Sequence, residues 1–220
     1  MKNYRQLLTP TFLLIQGILY YLILTTGGET LIWSSFGAIL LCFLYALARR
    51  GTPLLVAGLA ATVAADYFLV LCGAQNKLAG MVCFLVVQTL YAIFLHRKGF
   101  GRAWLALRLG LAALATAVAL AVLGDKTDAL ALVSVWYYAN LIINTAMAFG
   151  KFRQFSFLAL GFLLFILCDT VIGLQVATQG YLSIGEDTLL YRILFMDFNL
   201  AWFFYLPSQV LIALTSIKSR

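Results

Sequence analysis

A chain of 220 residues with net charge +7 carries 64% hydrophobic and only 10% charged residues, and its mean hydropathy is +0.99. Soluble domains carry about 25% charged residues, so this chain lacks the polar surface to cover a water-facing globule, and it is too apolar for a disordered one. Its apolar runs are long and unbroken, which excludes an outer-membrane barrel built from short alternating segments and leaves an all-α, polytopic transmembrane helical bundle. About 20 helical residues cross about 30 Å of hydrocarbon, and eight runs reach or approach that length. They lie at about 7–26, 31–48, 53–73, 78–96, 103–123, 129–149, 155–177 and 191–216, a single transmembrane domain over 1–220.

The breaks between them are legible. Thr25-Thr26-Gly27-Gly28-Glu29 ends the first span. Arg49-Arg50-Gly51-Thr52-Pro53 divides the second from the third, with Pro53 suited to a first helical position. Gln75-Asn76-Lys77, His96-Arg97-Lys98-Gly99 and Gly124-Asp125-Lys126-Thr127-Asp128 follow, and Gly150-Lys151-Phe152-Arg153 separates six from seven. The longest connection, about 178–188, holds Glu186 and Asp187. The apolar N-terminal run is taken as the first span, because no small-x-small cleavage site follows it.

Charge sorts by side. Lys2, Arg5, Arg49, Arg50, Arg97, Lys98, Arg102, Lys151, Arg153, Lys218 and Arg220 fall on one side of an eight-span bundle, and only Lys77, Lys126 and Arg192 on the other. Glu29, Asp125, Asp128, Glu186 and Asp187 all fall on the poor side. The positive-inside rule then puts both termini in the cytoplasm. Arg108, a turn or two into the fifth span, is expected to snorkel to the basic side. The basic residues are spread over short loops rather than gathered on a reading face, so a nucleic-acid partner is excluded. Tyr20, Trp33, Trp104 and Trp136 at span ends read as interface anchors.

Three acids lie within spans: Asp66, Asp169 and Asp197. A carboxylate near the bilayer centre costs about 2.5–3.5 kcal/mol on insertion scales, so it faces the bundle interior and usually marks a site. At about 1.5 Å per residue, all three fall in the outer half, with Gln88 and Asn140 near the same layer. Tyr137, Asn140 and Asn144 share one face at i, i+3, i+7, and Gln88 and Tyr91 pair at i, i+3. Asp197, Tyr205 and Ser208 share a stripe of the last span, with Gln209 at its edge; Pro207 frees the carbonyl of Phe203 and should kink the helix. Hydrogen-bond glue between helices is the other reading of these side chains, and it suits the amides better than the acids.

No metal centre is expected. The one histidine, His96, sits at a span boundary beside Arg97 and Lys98, and a zinc site needs about three His, Cys or carboxylate ligands. Cys42, Cys72, Cys83 and Cys168 lack CxxC spacing and read as small core residues. There is no GxSxG elbow and no P-loop, and no cofactor is called for.

Four short patterns resemble those of the YhhN-like lysoplasmalogenases, integral membrane proteins of about this length with eight spans. That family has a small residue plus Asp in the third span, His-x-x-Tyr in the fourth, a Ser-Asp-like pair in the seventh and Tyr-x-x-x-Gln in the last. Here the positions read Ala65-Asp66, Gln88-Thr89-Leu90-Tyr91, Cys168-Asp169 and Tyr205-Leu206-Pro207-Ser208-Gln209. The main departure is Gln88 in place of the family's His.

The resemblance implies hydrolysis of the vinyl ether of a lysophospholipid drawn from membrane lipids. The products would be a fatty aldehyde and glycerophospho-ethanolamine or -choline. It implies Asp66 and Asp169 as the catalytic pair, one a protonated acid and one a carboxylate, as in glycosidases with their oxocarbenium-like transition state. Gln88, Tyr91, Asn140, Asn144, Asp197, Tyr205 and Gln209 would bind water and the glycerol end. The expected location is a bacterial inner (cytoplasmic) membrane. Two other classes stay open at this point: a non-catalytic lipid-binding relative, which the Gln88 departure suits, and a proton-coupled carrier, which buried acids and a broken helix suit.

Overall fold

The computed structural model describes residues 2–180 and 185–216. Residues 181–184 of the long connection, and Lys218 and Arg220 of the charge count, lie outside the described residues. Regular structure among the described residues is entirely helical. The helices are α1 (Lys2–Thr25), α2 (Gly28–Ala48), α3 (Pro53–Asp66), α4 (Lys77–Arg97), α5 (Ala103–Leu123), α6 (Ala129–Gly150), α7 (Phe152–Gly180), α8 (Leu189–Leu194) and α9 (Leu200–Thr215). Seven segments, α1 to α7, are long and apolar enough to cross a membrane.

Local chemistry sets the ends. Pro53 opens α3 after an extended Thr52, where its missing N–H costs nothing. Asp128 caps α6 by accepting from the Ala131 N–H at 2.7 Å, which satisfies a donor that the first turn leaves free. Gly28 and Gly124, both at positive φ, carry the α1–α2 and α5–α6 turns in a region that other residues rarely adopt.

The interval 191–216, expected as one span, is broken. It holds most of the six-residue α8 and then, after an irregular link, the 16-residue α9. Thr188 and Asn199 are each N-caps, accepting from Tyr191 N–H at 3.3 Å and Trp202 N–H at 3.2 Å. Two caps only eleven residues apart in the chain start two helices where apolarity alone suggested one. Pro207 lies inside α9. The carbonyl that it frees, on Phe203, accepts from the Tyr20 hydroxyl at 3.1 Å. Tyr20 therefore ties α1 to α9.

Neighbour packing closes a ring in the order α2, α3, α4, α6, α7, α9 and back to α2, with α1 outside against α2 and α9, and α5 outside against α6. Lipid tails are as apolar as leucine, so such helices associate through close packing and interhelical hydrogen bonds rather than a hydrophobic drive. Close approach is visible at two glycines. A Cβ on Gly58 would lie 2.2 Å from Cε1 of Tyr91, and one on Gly161 would lie 3.1 Å from both Ile212 Cγ1 and the Ser208 carbonyl. Gly58 seats a tyrosine of α4 on α3, and Gly161 brings α7 onto α9. Every helix of the ring contributes fully buried side chains, among them Cys42, Leu59, Tyr91, Leu141, Phe162 and Leu206.

Candidate active site

Asp66 is the last residue of α3, and the coil widens directly after it into a five-residue π turn, Tyr67–Leu71. Single π turns inside helices are frequent at functional sites. Asp66 is 3% exposed, and its Oδ2 accepts from the Tyr205 hydroxyl of α9 at 2.8 Å. Asp169 of α7 is matched in the same way, its Oδ2 accepting from the Tyr137 hydroxyl of α6. Two carboxyl groups thus each hold one phenol.

The two pairs share their walls. The Phe84 ring of α4 lies 5.5 Å from that of Tyr137 and 6.4 Å from that of Tyr205. The Phe165 ring of α7 lies 6.3 Å and 5.3 Å from the same two tyrosines. Phe84 and Phe165 meet edge to face at 5.7 Å. Both phenol–carboxyl pairs therefore flank one aromatic plate of Phe84 and Phe165, and α3, α4, α6, α7 and α9 together supply the acids, phenols and rings. Water is scarce at such walls, and charge interactions there are stronger than at a surface. A carboxyl accepting through Oδ2 can carry its own proton on Oδ1, or none. The pair can therefore deliver a proton and stabilise a positive charge.

A second polar cluster lies further along α6. Arg108 of α5 is buried. Its Nη1 donates to Asn140 Oδ1, and its Nη2 donates to Asn144 Oδ1 at 2.7 Å. Asn144 Nδ2 in turn donates to the Gln88 carbonyl at 2.8 Å and to its Oε1 at 2.9 Å. This corrects one expectation. Arg108 does not snorkel outward, because two amide oxygens on α6 give its guanidinium inward partners. Asn140, Asn144 and Gln88 are joined to that arginine and to one another, while the acids are held by tyrosines.

The remaining candidates divide. Tyr91 is buried over Gly58 and tilts against Phe162 with ring centroids 5.4 Å apart. Gln209, one turn beyond Tyr205, is fully buried, and neither its Nε2 nor its Oε1 has a partner. The Tyr91 hydroxyl and Gln88 Nε2 are buried without partners too. Asp197 does not sit within a span. It is exposed, in the link between α8 and α9, because helix α9 starts only after the Asn199 cap.

Sequence reasoning did not assign Tyr137, Phe84, Phe165 or Arg108 to the site. Phe84 shares a helical face with Gln88 and Tyr91, and Phe165 lies one turn before Asp169, so spacing places them beside the polar residues. Their aromatic side chains read as ordinary core. Among the described residues no three His, Cys, Asp or Glu side chains gather as a metal ion would require.

No curated protein and no solved structure matches the chain significantly. The family model described as the YhhN family matches residues 30–216, from the first turn of α2 to the end of α9. That interval contains both acids, both phenols and the aromatic plate between them, and the chain belongs to the YhhN family.

Proposed function

We propose that the protein is a membrane-embedded hydrolase that opens the vinyl ether of a lysophospholipid, releasing a fatty aldehyde and glycerophospho-ethanolamine or -choline. The observation that carries this reading is the pair of phenol-held carboxyl groups on one aromatic plate. A vinyl ether is inert to most nucleophiles and reacts by protonation of its β-carbon. One carboxyl gives that proton, and the C=C π electrons form the new C–H bond. The carbon attached to oxygen becomes an oxocarbenium centre, which the other carboxylate stabilises. That carboxylate then takes a proton from a water molecule as its oxygen adds to the cation. The hemiacetal collapses by breaking the bond to the glycerol oxygen. The carboxylate that gave the first proton takes the hydroxyl proton as the aldehyde forms, and the carboxyl that took the water's proton gives it to the departing glycerol oxygen. One water is consumed and each carboxyl is restored.

The same reading has α9 make an eighth, shorter crossing. It puts both termini in the cytoplasm of a bacterial inner membrane, and the basic loops support that orientation. Purified protein should release aldehyde from an alkenyl lysophospholipid and leave the saturated alkyl ether intact. In heavy water the aldehyde should carry one non-exchanged deuterium introduced at its α-carbon during turnover. Aldehyde release that survives unchanged in Asp66→Asn would remove the proposal. One observation favours a second reading, a lipid-binding relative without turnover: Gln88 cannot titrate, and its Oε1 is engaged by Asn144. Binding of the alkenyl lipid with no aldehyde formed would select it.

A further inference from the structure

Two open cavities adjoin the α8–α9 link. One of about 580 Å³ is lined by the end of α1 together with Gln175, Leu194 and the link residues Asp197 and Asn199. The other, of about 500 Å³, is lined by Glu186, Tyr191, Arg192, Phe195, Asp197 and Phe198 among others. Phe195, Met196, Asp197 and Phe198 belong to both, so the link is their common wall.

Among the described residues, Arg192 is the single basic residue lining either cavity, and it lines the second together with Glu186 and Asp197. The Tyr191 and Phe195 rings are tilted together with centroids 4.6 Å apart, and Phe198 lies within the wall. A guanidinium matches a phosphodiester. Carboxylates beside aromatic faces match an ammonium. The carboxylates also repel a headgroup that bears only negative charge.

Position agrees with charge. Gln175 is six residues beyond Asp169 on α7, and Asn199 is six residues before Tyr205, so a rise of about 1.5 Å per residue sets the first cavity about 9 Å along the bundle from the acid pairs; the second, which Arg192 and Glu186 line, adjoins it across the shared wall at Asp197. The backbone from a vinyl ether oxygen through glycerol and phosphate to a terminal amine is of comparable reach. Gln175 Nε2 donates to the Leu194 carbonyl at 2.7 Å, which ties the end of α8 to α7 and fixes the wall against the helix that bears Asp169.

We infer that the α8–α9 link is a subsite for a zwitterionic headgroup, with Arg192 holding the phosphodiester and Asp197, assisted by Glu186, holding the ammonium. The inference rests on the lysophospholipid reading above and adds to it which end of the lipid is recognised, and by what.

Its test needs no turnover. The probes are two saturated alkyl ether lysophospholipids, identical except that one carries phosphoethanolamine and the other a phosphate methyl ester. Binding is measured by titration of the full-length protein in nanodiscs. The native chain should favour the ethanolamine lipid about tenfold, the size of one charge-assisted hydrogen bond. Asp197→Asn should abolish most of that preference, and adding Glu186→Gln should erase the rest. Arg192→Gln should weaken both lipids alike and keep the preference. Equal binding of the two lipids by the native chain would overturn the inference. So would a preference that persists in Asp197→Asn, or an Arg192→Gln loss confined to the ethanolamine lipid. Because the probes contain no vinyl ether, a preference found without any aldehyde-releasing activity would sink the hydrolase and leave the subsite standing.

Discussion

A carboxylate carried into a membrane bundle costs free energy that only partners can offset, and the partners of Asp66 and Asp169 are of one kind. Each accepts from a tyrosine hydroxyl. The phenol can stabilise the ionised form without removing the carboxyl's second oxygen from use. Losing one of these donors should lower turnover and also cost about 1–3 kcal/mol of stability, because a buried carboxyl oxygen is left without its partner. Tyr205→Phe is expected to slow aldehyde release about a hundredfold, the lower end of the range set by deleting a catalytic hydrogen-bond donor. Steady-state rates compared with thermal unfolding of the same sample would separate the two effects. At this scale the acids and Tyr205 were legible in the sequence, because polar atoms in apolar runs stand out. Phe84 and Phe165 were not, because an aromatic residue in a span carries no mark of what it packs against.

Helices in this bundle meet where small residues let them. Tyr91 lies on Gly58 so closely that a methyl group there would meet its ring at 2.2 Å. Gly58→Ala should therefore destabilise the protein by about 1–3 kcal/mol, as overpacking does, and shift Tyr91. Gly110 of α5 has nothing within 4 Å of its Cβ position, so Gly110→Ala should be neutral or slightly stabilising. Thermal unfolding of the two variants in one detergent tests the contrast. Helix ends were readable where a proline, a glycine or a charged pair marked them, as at Pro53 and Gly124. The split of the last run into α8 and α9 was not, because Asn199 and Thr188 act through cap geometry that composition alone does not signal. The Phe203 carbonyl, freed by Pro207, was legible as a free acceptor; its donor, Tyr20 on a helix 183 positions away in sequence, was not.

Over the whole molecule, six helices close around the acid pairs while α1 and α5 stand outside. Helix content could be read from hydropathy, but ring order depends on long-range packing that no local pattern records. Arg108 shows the limit well. It sits on the outlying α5, yet it reaches across to Asn140 and Asn144, and through Asn144 the network continues to Gln88 on α4. Arg108→Met should leave two buried amide oxygens unpaired and cost about 1–3 kcal/mol, seen as a lower unfolding temperature. Restoring shape without polarity, by adding Asn144→Leu, should recover part of that loss.

The most direct measurement is the rate of aldehyde release from an alkenyl lysophospholipid by the native chain, Asp66→Asn, Asp169→Asn and the double variant. If both carboxyl groups serve one transition state, each single change should cost at least about a hundredfold, and the double variant should be no slower than the worse single one. A single variant that keeps the native rate, or two losses that multiply in the double variant, would contradict the account.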